Sequence, residues 1–106
     1  MLQTANVPAM REERRSEPRF PVFLAATARN GTAAARVQLR NLSRSGALAE
    51  APRPPAQASR VVLARDGLLV AAEVVWVSGM RFGLAFDQPI RATDLLLQLS
   101  QNRLAG

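Results

Sequence analysis

From Phe20 onward the chain alternates between apolar and polar positions in short runs broken by turn residues. Phe20–Arg29 forms an apolar strand that runs into the turn signal Asn30-Gly31. Ala35, Val37 and Leu39 then alternate with Arg36, Gln38 and Arg40, which predicts a half-buried strand with one basic face. A polar loop, Asn41 to Gly46, leads to a short strand from Ala47 to Glu50. Pro52-Arg53-Pro54-Pro55 forbids regular pairing and marks a connection. Arg60–Arg65, the hairpin pair Asp66-Gly67 and Leu68–Val77 predict two further strands. Ser78-Gly79 makes a second tight turn, and Phe82, Leu84 and Phe86 then alternate with Arg81, Gly83 and Ala85 in a last strand. Trp76 and these phenylalanines are expected in the core. Six short strands in so few residues predict an all-β fold, a small closed antiparallel barrel.

The two ends read differently. Residues 1–10 are polar, carry Pro8 and show no period, so they are expected as a flexible lead-in. Arg11 to Arg19 is dense in charge. Pro18 and Pro21 push the residues before them toward extended geometry and keep this stretch out of helix. At the other end, Ala92–Leu104 has helical character, with Thr93 or Asp94 as N-cap. Leu95, Leu96 and Leu99 share one arc that can seal the barrel. Leu97 and Leu104 lie on the opposite side, either wrapped by the fold or left as a partner surface.

Composition narrows the chemistry. The 106 residues hold no Cys, no His and no Tyr. Disulfides, thiol nucleophiles, the commonest general base and the commonest metal ligands are thereby removed. The eight carboxylates, Glu12, Glu13, Glu17, Glu50, Asp66, Glu73, Asp87 and Asp94, form no local motif outside the N-terminal charge run. A non-enzymatic protein without cofactor or metal is expected. The N-terminus lacks the basic and apolar regions of a secretory signal. The longest apolar run, Gly67 to Val77, falls short of the ~18 residues of a membrane span. A soluble cytoplasmic protein with no membrane partner follows as the expectation. The net charge is +6, and all 14 basic residues are arginine. Arginine is the planar, bidentate donor that suits phosphates and guanine edges. Codon bias in an Ala- and Arg-rich genome explains the same count.

Two short segments carry more than the total. Arg15 and Arg19 stand four apart in a proline-restrained stretch that enters the first strand, where they could wrap a ligand against the barrel wall. Asn41-Leu42-Ser43-Arg44-Ser45-Gly46 fits Asx-x-Ser-x-x-Gly. Asn41 and Ser43 supply short polar side chains for a base edge or phosphate oxygen, and Gly46 permits close backbone approach. The alternative is that Asn41 and Ser43 make local turn bonds and Gly46 a bulge.

In order and spacing these two segments resemble the PilZ-domain family. Its signature is an Arg-x-x-x-Arg segment before the first strand and an Asp/Asn-x-Ser-x-x-Gly loop after the second. Val74-Val75-Trp76-Val77 with Arg81–Phe86 is similar to that family's last hairpin. The resemblance spans residues 11–104 and implies a six-stranded antiparallel barrel with a C-terminal α-helix that binds the bacterial second messenger cyclic di-GMP. It assigns Arg15 and Arg19 to phosphate and guanine, and Asn41 and Ser43 to the other guanine and its sugar-phosphate, with Gly46 making room. Arg14 would stack on a second, intercalated nucleotide, so that one or two ligands fill the site. The module would signal to a separate protein partner, with the C-terminal helix as a contact. Two other readings remain: a PilZ-like adaptor that binds protein and not nucleotide, and a small basic barrel that binds nucleic acid. The second lacks the interleaved exposed aromatics such surfaces use.

Overall fold

The computed structural model describes residues 17–101. Six strands, β1 (Phe20–Asn30), β2 (Ala33–Leu42), β3 (Gly46–Glu50), β4 (Arg60–Arg65), β5 (Leu68–Ser78) and β6 (Arg81–Phe86), precede one helix, α1 (Ala92–Gln101). The strands close into a barrel in the order β1-β2-β3-β6-β5-β4, and every neighbouring pair is antiparallel. The architecture is the all-β, six-stranded barrel with a terminal helix that the alternation and the turn signals predict.

The turns follow glycine. Asn30 pairs with Ala33 and Ser78 with Arg81, so the two-residue loops are Gly31-Thr32 and Gly79-Met80, one residue later than the sequence signals suggested. Gly31 and Gly79 take φ of +65° and +62° at the first loop position, as a type II′ hairpin requires.

Side chains of both sizes fill the interior. Phe82, Leu39, Leu42, Leu63 and Val74 are the largest fully buried groups. Ala26, Ala28, Ala47, Ala49 and Ala72 face them, and these small residues let six strands curl tightly around the phenylalanine. Phe82 and Phe86 are core residues as expected, whereas Trp76 is 42% exposed.

The reason is a bulge. Val74 pairs with Leu84 and Trp76 with Gly83, which leaves Val75 as an extra residue on β5. A strict period of two would send Trp76 inward with Val74; the extra residue reverses the parity and turns the indole outward. β2 does the same. Leu39 pairs with Ala49 and Asn41 with Leu48, so Arg40 is the additional residue, Asn41 turns outward and Leu42 turns in.

The helix starts earlier than its capping signals indicated. Leu95 N–H donates to Arg91 O at 3.0 Å, which places Thr93 and Asp94 inside the first turn. Asp94 favours that end through its charge and accepts from Arg91 Nε at 3.1 Å. Leu95 is buried and Leu99 half-buried against the barrel, but Gln98 takes the inward position expected for Leu96, which is 63% exposed. Gln98 and Gln101 face a polar lip of β4: Arg65 donates from Nη2 to Gln101 Oε1 at 3.0 Å and from Nη1 to Ala25 O at 2.6 Å. Gln98 Nε2 donates to Arg65 O at 3.4 Å, while its Oε1 is buried with no partner among the described residues. Leu97 is exposed, on the side the periodicity gave it. Among the described residues, no helix is long and apolar enough to cross a membrane.

Candidate functional site

The two bulges act on one face. Across the outer surface of β2, β3, β6 and β5, Asn41 stands beside Leu48, Leu48 beside Gly83 and Gly83 beside Trp76. Gly83 is what lets this row lie flat. A Cβ there would come within 2.2 Å of Trp76 Nε1, so the indole rests directly over the glycine backbone. The row floors a concavity of about 220 Å³. Ser43, Ser45, Gly46 and Arg19 line it as well.

The loop there is built by Ser43, which is 5% exposed. Its Oγ accepts from Ser45 N–H at 3.3 Å and Gly46 N–H at 3.2 Å, and donates to Gly46 O at 3.2 Å. Ser43 N–H also donates to Gly46 O at 2.9 Å. The hydroxyl is therefore committed to the turn, and Ser43 serves first as the loop's brace. Gly46 is required by packing: a Cβ at this position would lie 2.3 Å from Leu84 O on the neighbouring strand. The space its missing side chain leaves is taken by backbone.

Asn41 and Arg19 are different. Neither side chain forms a hydrogen bond or ion pair with another described residue, and both line the concavity. One guanidinium and one amide thus line the concavity without a partner among the described residues. Arg14 and Arg15 lie outside the described residues. Arg19 is held near the loop by its own segment, because Ser45 Oγ donates to Glu17 Oε1.

A second charged group borders the row. Glu50 accepts from Arg40 Nη1 at 3.0 Å through one oxygen and from Arg81 Nε at 2.8 Å through the other. The Arg81 hydrogen bond first, then that of Arg40, holds the Glu50 carboxyl below its ordinary value. Arg40 also lies 5.7 Å from the Phe23 ring centroid. Arg36, Arg40 and Arg44, which period two puts on one face, are not a uniform stripe. Arg36 is exposed on the barrel wall, Arg40 is paired, and Arg44 donates to Ile90 O.

Sequence reasoning brought Arg19, Asn41, Ser43 and Gly46 to one place. It missed Trp76, Leu48, Glu17 and Ser45. Only Trp76 left a trace, as an aromatic whose hairpin partner is a glycine.

The sequence model of the PilZ domain matches residues 13–102. The chain belongs to the PilZ domain family. No curated protein matches it. Among solved structures, it is similar to the PlzA protein of Borreliella burgdorferi, crystallised in complex with c-di-GMP. The TM-score is 0.64 at 14% identity, over 91% of this chain and 45% of that one. The likeness is one of fold, and the chain spans less than half of that relative. Within this PilZ domain, the concavity lies where the Asn41–Gly46 segment meets the outer face of the barrel.

Proposed function

We propose that this PilZ domain is a cyclic di-GMP receptor module. The observation that carries the reading is the convergence of Arg19 and Asn41, both without a side-chain partner among the described residues, and the exposed face of Trp76 on one concavity beside the Ser43–Gly46 turn. A guanine offers O6 and N7 to an arginine fork, and its flat face to an indole or guanidinium plane. Its phosphates take the same arginines as bidentate donors.

At about 220 Å³ the concavity is smaller than the ~300–1,000 Å³ of an enclosed small-molecule site, and suits part of a dinucleotide rather than the whole. The roles divide accordingly. Asn41 takes a guanine edge, and Trp76 and Leu48 form the wall that the base lies against. Ser43 and Gly46 hold the loop backbone close to the sugar-phosphate. Arg15 and Arg19 grip phosphate and the second guanine, and Arg14 stacks on an intercalated second nucleotide. The ligand binds and dissociates unchanged, so the reading requires no catalytic group. The module acts in the cytoplasm and passes the signal to a separate protein.

Isothermal calorimetry with cyclic di-GMP tests this. Micromolar or tighter binding is expected, reduced at least tenfold in Arg19→Ala and in Asn41→Ala, with the fitted ratio giving one or two ligands per chain. Absence of heat at high protein concentration overturns it. Heat with oligonucleotides alone, falling steeply with salt, would assign the surface to nucleic acid instead.

A further inference from the structure

The loop that braces the concavity is tied on its other side to the lead into α1. Phe86 N–H donates to Ser45 O at 2.8 Å, Ile90 N–H donates to Arg44 O at 2.8 Å, and Arg44 Nε returns a bond to Ile90 O at 2.8 Å. The Arg44–Ile90 pair is reciprocal, joining backbone to backbone and side chain to backbone. The Ile90 side chain is itself buried, so the tie is anchored in the core. Arg91 follows immediately, and its carbonyl accepts the first hydrogen bond of α1. Three atoms of chain thus separate the loop's clamp from the start of the helix.

The same loop holds the N-terminal segment through Ser45 and Glu17. Neighbouring residues Arg44 and Ser45 reach in opposite directions, one to the helix lead and one to the segment that bears Arg19. The helix has a thin apolar seal, with Leu95 buried, Leu99 half-buried and the amide of Gln98 between them. Elements with few buried apolar contacts open at low free energy, so α1 is the part of the fold whose docking a small change can bias.

We propose that Arg44 is a positioning residue that couples occupancy of the loop to the docking of α1. A ligand that fixes the Ser43–Gly46 turn fixes Arg44, the Ile90 carbonyl and the first turn of the helix with it. By linkage, whatever captures or releases α1 changes affinity at the loop by the same factor. This rests on the receptor reading for the identity of the ligand, but the tie itself is independent of it.

Hydrogen exchange on the full chain separates the two. In ligand-free protein, Arg44→Ala is expected to speed exchange of the α1 amides about three- to tenfold, the effect of one lost hydrogen bond, with β1 and β2 unchanged. Arg44→Lys, whose ammonium can reach the same carbonyl, restores part of the protection. Equal α1 exchange in wild type and Arg44→Ala overturns the tie whether or not any nucleotide binds. With saturating cyclic di-GMP, α1 exchange slows in wild type and stays fast in Arg44→Ala, although the variant still takes up ligand. Equal slowing in both overturns the coupling. If the wild type gives no heat with cyclic di-GMP, the receptor reading fails, and the ligand-free comparison alone decides the tie.

Discussion

The barrel has two kinds of wall. Around β4 and the first half of β5 the register runs unbroken from Arg60–Glu73 to Arg65–Leu68, and side chains alternate in and out as a period of two demands. Across β2, β3, β6 and the second half of β5 the register slips twice, at Arg40 and at Val75, and each slip turns one polar or aromatic residue outward. The first wall is packing and little else. The second gives up regular pairing at two points, and those points supply both sides of the concavity. A bulge is thus the device by which a small barrel, with its interior filled by side chains, shapes a concavity on its exterior.

Substitutions on the two walls should therefore fail differently. Gly46→Ala carries the largest expected effect. Its Cβ would meet Leu84 O, a backbone atom, so β3 and β6 must move apart at a cost of about 3 kcal/mol. Leu63→Ala on the regular wall leaves a cavity in the core and costs a similar ~3 kcal/mol. Denaturant midpoints should fall alike, but only Gly46→Ala should also lose nucleotide at temperatures where both variants are folded. A Gly46→Ala protein as stable as wild type would break the comparison.

Gly83→Ala comes next. Here the clash is with an exposed side chain, so Trp76 swings off the row and stability falls by less than about 1 kcal/mol. Cyclic di-GMP affinity should drop about tenfold, ~1.4 kcal/mol, with a red shift in indole emission. Unchanged emission and affinity would remove Trp76 from the site.

Smallest is a pH effect at Glu50. Its folded-state pKa is lowered by Arg81 and Arg40, so its contribution to stability is complete above the ordinary value of 4.5 and is lost as pH falls through the folded value. Wild type should lose stability on acidification below about pH 4.5, and Glu50→Gln should lose less over the same range. Identical acid profiles would show that the Arg40–Glu50–Arg81 chain is too solvated to matter.

The same contrast explains what could be read from the residues alone. On the regular wall, Val61, Leu63, Leu68 and Ala72 are buried where alternation puts them. The Ser43-Arg44-Ser45-Gly46 spacing marks a tight turn, because such a turn needs those residue types at that interval, and Asn41 stands just before it in β2. It could not divide their labour. Ser43 and Gly46 answer mainly to the loop and to β6, whereas the Asn41 side chain has no partner among the described residues. Apolar periodicity puts Trp76 in the core because a bulge leaves no signature in it. Periodicity puts Leu96 on the helix's inner face because a solitary glutamine beside leucines reads as surface, whereas Gln98 is the residue buried there, with Nε2 on Arg65 O.

One further consequence lies in how the ring closes. β1 meets β4 over Thr27–Ala64, Ala28–Leu63 and Arg29–Val62 alone, and the bond from Arg65 to Ala25 O stands in for the ladder beyond them. A hoop with one short weld fails at the weld. Stretched between its ends, this domain should unroll from the β1–β4 seam into a flat five-interval ribbon before any other pair of strands parts. The arginine spanning that seam also holds Gln101, so the rivet of the hoop is at the same time one of the fastenings of α1.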